Sequence, residues 1–199
     1  MGNARPSRWV IPSPLLKHVP NIAFFLLMLH TDIYLFEANP YFNAALVEAK
    51  ERYQNKGINV NIFPSTVVDT KDGTRTFFLD TVNKEHDFWG SSTISTHPDA
   101  EKSKDNNGTE LSAINFSRWL LMNTLPQDFV VVKMDIEGAE YEVIPHMVEM
   151  GVWSVLDSIL IEWHAGFFKD KVEMEERVKV AKEALAAKGV SMPTYDSPA

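Results

Sequence analysis

The chain is predicted to fold as an α/β domain, a mostly parallel sheet with helices on both faces. Three observations predict this. From about residue 30 onward, apolar strand-like runs alternate with segments of helical periodicity, the pattern of consecutive βα units. The run FVVVKM, Phe129 to Met134, is apolar almost throughout, as a strand covered on both faces of a parallel sheet must be. The chain has 199 residues, 45% hydrophobic and 23% charged. That is enough for one domain with a full core and too apolar for disorder.

Residues 1 to 20 hold four prolines (Pro6, Pro12, Pro14, Pro20) and read as an irregular lead-in. Residues 1–30 are therefore set apart from a domain covering 31–199. The most apolar run, IAFFLLML from Ile22 to Leu29, is eight residues long, far short of the roughly 20 that span a bilayer. Arg5, Arg8 and Lys17 precede it, as in a signal peptide, but no small-residue cleavage site follows. A buried strand or helix is expected there, and no membrane association.

DIYLFEA, Asp32 to Ala38, reads as a buried strand. Asn39 can cap the next helix and Pro40 fits its first turn. Phe42, Ala45, Leu46, Ala49 and Tyr53 then recur at helical spacing until Gly57 ends the element. INVNIF, Ile58 to Phe63, is a second strand. STVVDTKDGTRTFFLD reads as a hairpin turning at Asp72-Gly73. Residues 81 to 110 are polar and read as a long functional or mobile loop around Trp89 and Gly90. SRWLLMNTL is a short helix, and FVVVKM the next strand. A helix with Pro145 inside it runs to about Met150, and Gly151 stops it. DSILIEW is another buried strand. An amphipathic helix over roughly 170 to 187 follows, with VSMPTY as a last edge strand.

Charge and cysteine content remove several functions. The 19 basic and 27 acidic residues give −8, which excludes a large nucleic-acid footprint. The absence of cysteine excludes disulfides, thiolate zinc sites and a cysteine nucleophile. It also leans toward a reducing compartment, so a cytoplasmic location is expected. The sequons at Asn107 and Asn115 are tripeptides common by chance. After Gly2 the next glycine is Gly57, so no glycine-rich loop lies in the first quarter.

In an open parallel sheet the ligand sits beyond the carboxyl ends of the strands, and three such ends carry chemistry. Glu37, in FEANP, stands where an acid can accept from both hydroxyls of a ribose; the same residue could simply complement a helix N-terminus. Asp135, Glu137 and Glu140 follow FVVVKM in DIEGAE, where Gly138 permits a tight turn. Glu140 is read as complementing the helix dipole. Glu162 and His164 end the next strand and point to one side by the period of two. If the two strands are neighbours, Asp135, Glu137, Glu162 and His164 converge. An imidazole among carboxylates suits acid–base work, and the same four groups could hold a divalent metal.

On these residues the chain resembles the FkbM-type methyltransferases, class I Rossmann-like enzymes that use S-adenosylmethionine (SAM). VVVKMDIEGAEYEVIPHM is similar to the family's most recognisable segment. YLFEANPYFNAAL, the TVVDTKDGTRTFF hairpin, the WGSSTIS loop and SILIEWH are in keeping with the same pattern. The resemblance covers roughly residues 31 to 192. It implies that Glu37 binds the SAM ribose, with Asn39 near the adenosine and Ser65 and Thr66 beside the adenine. It implies that Asp135 faces the methionine end and the reacting centre. Glu137 and His164 would orient or deprotonate the acceptor hydroxyl, and Trp89, Ser91 and Ser92 would contact the acceptor. The expected activity is O-methylation of a small molecule or sugar, with no metal required.

The family's first strand should end in a glycine-rich loop about 20 residues before Glu37, near Lys17 and His18, and no glycine stands there. The domain is thus expected to be incomplete at its N-terminus, or its cofactor binding altered. Two alternatives stay open: a catalytically impaired methyltransferase-like binding protein, and a metal-dependent hydrolase using Asp135, Glu137, Glu162 and His164.

Overall fold

The computed structural model describes residues 7–10, 31–86, 88–103, 107–165, 168 and 171–194. Eight strands and five helices alternate along them. In chain order they are β1 (Ser7–Val10), β2 (Thr31–Glu37), α1 (Asn43–Gln54), β3 (Asn59–Pro64), β4 (Thr66–Asp69), β5 (Gly73–Phe77), α2 (Pro98–Lys102), β6 (Thr109–Asn115), α3 (Phe116–Asn123), β7 (Phe129–Met134), α4 (Glu140–Glu149), β8 (Ser158–Ile161) and α5 (Lys171–Ala187).

Five strands form one sheet in the order β3-β2-β1-β7-β8, and every neighbouring pair is parallel. From β1 the chain works outward through β2 and β3, then returns to the other side of β1 for β7 and β8. The strands that follow β1 and β7 in the chain thus lie on opposite sides of that pair, the reversal of order that opens a crevice at the carboxyl ends of the strands.

The alternation of β2 shows both faces covered. Ile33 and Leu35 pack with Leu46 of α1 and with Ile58 and Val60. Tyr34 and Phe36 point the other way and meet the Trp119 ring of α3 edge-on, at 4.9 and 5.0 Å between centroids. On that face Val130, Val132 and Met134 of β7 join Ile144 and Met147 of α4 and Leu185 of α5 in the main core. Pro145 is accommodated inside α4, and Gly151, at φ 74°, ends the turn after it.

Several expectations change. The irregular lead-in contains β1, paired on both sides between β2 and β7. Its four residues, SRWV, are too few and too polar to show a periodic signal. It ends at Val10, 37 − 10 = 27 residues before Glu37, earlier than the position near Lys17 expected for the end of the first strand. Lys17, His18 and the Ile22–Leu29 run lie outside the described residues.

The hairpin is not a closed pair. β6 inserts between its arms, parallel to β4 and antiparallel to β5. The Asp72 carboxylate explains the arrangement. It accepts from the Asn115 N–H at 3.1 Å and from Arg118 at 2.8 Å, so the turn braces the β6–α3 junction instead of folding on itself. The polar 81–110 segment carries α2 and the start of β6. In place of a last edge strand, Ser191 makes an isolated parallel bridge to Ser158, and residues from 195 lie outside the described residues. Among the described residues no helix is long and apolar enough to cross a membrane.

Candidate functional site at the carboxyl edge of the sheet

At the end of β2 the chain turns sharply into α1. The Asn39 side-chain oxygen accepts from the Tyr41 N–H at 3.0 Å, and Pro40 follows it, a helix start built on an Asn cap and a proline without a donor. The Asn39 N–H donates back to Glu37 Oε1 at 2.8 Å. This bond fixes the carboxylate over a cleft walled by Phe36, Phe42, Val67 and Phe77. Asn39 is itself buried, and its amide donates to Ser91 Oγ at 3.1 Å.

At the end of β7 the backbone is constrained. Glu137 adopts φ 52° and Gly138 φ 101°. The left-handed region costs a non-glycine residue of order 1–3 kcal/mol and persists only where surroundings enforce it. Here the enforcement is Glu140, whose side chain is fully buried. Its Oε1 accepts from the Ile136 N–H at 2.9 Å and its Oε2 from the Gly138 N–H at 2.8 Å. Lys133, 7% exposed, holds Asp135 Oδ2 at 2.9 Å. A lysine so buried needs such a partner.

β8 brings Glu162 and His164 to the same place. His164 Nε2 lies 3.6 Å from Glu137 Oε2 and 4.0 Å from both Asp135 Oδ1 and Glu162 Oε1. Its Nδ1 is 3.1 Å from Glu140 Oε1. Burial disfavours the imidazolium, but the Glu140 hydrogen bond and the charges of Glu137, Glu140 and Asp135 outweigh it and raise the pKa to about 9. His164 is therefore a cation at neutral pH. The Glu162 pKa is raised by burial and by the nearby Asp135 and Glu137 charges, against the opposite pull of His164 and Lys133.

The expected convergence of Asp135, Glu137, Glu162 and His164 is thus present, and the first three line the cleft that Glu37 also lines. The 78–103 segment closes one side. Trp89, half-exposed, and Ser91 line the cleft, and Ser91 Oγ also accepts from the Asp80 N–H at 2.9 Å. Ser92 is buried. Its hydroxyl donates to the Glu137 carbonyl at 2.7 Å, pinning the segment to the strained turn. A Cβ on Gly90 would run into Asp99, so glycine is what lets the segment pass this close to α2. Thr66 lines the cleft; Ser65 does not, and accepts from Asn43 at 2.8 Å instead.

Two residues of this site were not singled out in the sequence, and a third is corrected. Glu140, read as complementing the helix dipole, turns inward instead, fully buried onto the Ile136 and Gly138 N–H groups and His164, a choice that looks the same in sequence. His97, in the polar segment, is buried with Nε2 3.4 Å from Glu137 Oε2, while its Nδ1 accepts from the Asp99 N–H at 3.2 Å. Lys133 reads as a strand residue. Asp135, Glu162 and His164 each bring a potential ligand atom within 4.8 Å of the others. However, Lys133 and His164 already supply positive charge to that cluster.

An α/β domain whose parallel strands end around one acidic, partly apolar cleft has the layout of an enzyme binding a nucleotide-like ligand. Residues 17–184 match the methyltransferase FkbM domain, and the chain belongs to that family. It is, at family level, a methyltransferase. No curated protein and no solved structure matches it.

Proposed function

We propose that the domain is a Rossmann-like class I methyltransferase that transfers a methyl group from SAM to a hydroxyl oxygen of a small molecule or sugar. One observation carries this reading: two acidic strand ends, Glu37 and the Asp135–Glu137–Glu162 group, face one cleft across the point where the sheet order reverses. The donor set fits the cofactor. Glu37 suits ribose hydroxyls, the phenylalanine and valine walls suit an adenine, and the carboxylates give a field that favours a sulfonium cation.

When bound, SAM supplies an electrophilic methyl carbon on a good leaving group. The protein then has to hold the acceptor oxygen in line and take its proton. Positioning of this kind can lower the barrier by several kcal/mol. Glu137 is the carboxylate placed for the proton, because its oxygen lines the cleft between the His97 and His164 rings. With SAM bound, Glu137 would accept the proton that the acceptor hydroxyl gives up as it is methylated. His164, as a cation, orients that carboxylate at neutral pH, and becomes a base itself only after losing its own proton. Trp89 and Ser91 would bound the acceptor.

A second reading, a methyltransferase-like binding protein without catalysis, is favoured by the lack of any glycine between Gly2 and Gly57. Calorimetric titration with SAM separates the two. Micromolar binding is expected for the enzyme, whereas millimolar or absent binding would overturn that reading in favour of the second.

A further inference from the structure

Glu140 joins the two strand ends that the reaction needs. One carboxylate makes all three of its contacts with groups of the site: the Ile136 N–H and Gly138 N–H on the strained turn after β7, and Nδ1 of His164 after β8. It touches neither the cleft nor solvent. The geometry points to Glu140 as the positioning residue of the site, holding Glu137 in its left-handed conformation and fixing the His164 ring with Nδ1 as hydrogen-bond donor, so that Nε2 faces the cleft carboxylates. This assignment deepens the methyl-transfer reading and rests on it for its catalytic meaning, although the geometry itself does not depend on SAM.

Glu140 Oε1 already accepts from a backbone N–H, and an ionised carboxylate offers the ring only an acceptor. Nδ1 must therefore carry hydrogen in both the charged and the neutral ring. A carboxylate behind one ring nitrogen is the standard way to choose which nitrogen is presented forward. The groups facing His164 are Glu140 behind it, Asp135, Glu137 and Glu162 in front, with Lys133 beyond Asp135 and His97 beyond Glu137. Glu137, on the turn itself, meets the other ring nitrogen, Nε2, at 3.6 Å, so Glu140 is the group that ties the turn to Nδ1.

The test is the tautomer of His164 in the intact chain, read by nitrogen NMR of the histidine rings, with the resonance assigned by its loss in His164→Gln. Above the pKa of about 9, the neutral ring is expected to keep its hydrogen on Nδ1 and leave Nε2 bare. A neutral ring with hydrogen on Nε2 would overturn the inference, and this measurement needs no change at Glu140. In Glu140→Gln the His164 pKa is expected to fall toward the ordinary value near 6.5 and the Nδ1 preference to disappear. If a folded Glu140→Gln protein keeps both, Glu140 is not the positioning group. The titration is separate from SAM calorimetry: absent SAM binding with an Nδ1–H ring sinks methyl transfer and leaves the positioning intact, while SAM binding with an Nε2–H ring does the reverse.

Discussion

At the end of β2, Glu37 is a half-buried carboxylate steadied by the Asn39 N–H two residues on, in a turn of ordinary conformation. At the ends of β7 and β8, four carboxylates, a buried lysine and two histidines share one cluster around a residue at φ 52°. Under the proposed methyl-transfer reading, the first end would take a neutral, hydroxyl-bearing group, the ribose. The second concentrates charge and strain, which folding tolerates only when hydrogen bonds and function compensate. The contrast suggests a division of labour, with recognition at β2 and chemistry at β7 and β8, inside one cleft.

That division can be attacked first through stability. Glu140→Ala strips the acceptor from two backbone N–H groups and from His164, and should cost about 3–5 kcal/mol, the range for breaking a buried charged network. Urea unfolding would measure it, and a loss below about 1 kcal/mol would show that the cluster is not held this way.

Next comes pH. The folded His164 pKa is raised from 6.5 to about 9, so its contribution to stability is fully present below about pH 6.5 and is lost as pH rises through about 9. A shift of this size corresponds to something on the order of 3 kcal/mol. Unfolding curves across that window should fall for the native sequence and flatten in His164→Gln; parallel slopes in the two proteins would contradict the assignment. Smallest of all, Glu37→Ala removes the acceptor of the Asn39 N–H and should cost about 1 kcal/mol, the net worth of a typical hydrogen bond, read in the same urea unfolding.

Much of this layout was legible in the sequence. FVVVKM announced a buried parallel strand because every side chain after the exposed Phe129 is covered, and DIEGAE and EWH announced a site because acids and a histidine at strand ends are costly without a purpose. What stayed hidden depended on contacts distant in the chain. β6 buries only Leu111 and Ala113 among its polar neighbours, so nothing local marks it as the strand that splits the β4–β5 pair. SRWV shows no sign of lying mid-sheet. Glu140 belongs to DIEGAE but reads there as a helix-dipole acid, and His97 carries no pattern at all; their importance comes from what lies across from them.

The division of labour is tested most directly by titrating SAM and adenosine separately into the native protein, Glu37→Ala and Asp135→Asn by calorimetry. Asparagine at 135 keeps an acceptor for Lys133 while removing the charge. Glu37→Ala is predicted to weaken both ligands, because both carry the ribose, and Asp135→Asn to weaken SAM while leaving adenosine unchanged. Equal loss of adenosine and SAM in Asp135→Asn, or undiminished binding of both in Glu37→Ala, would contradict the account.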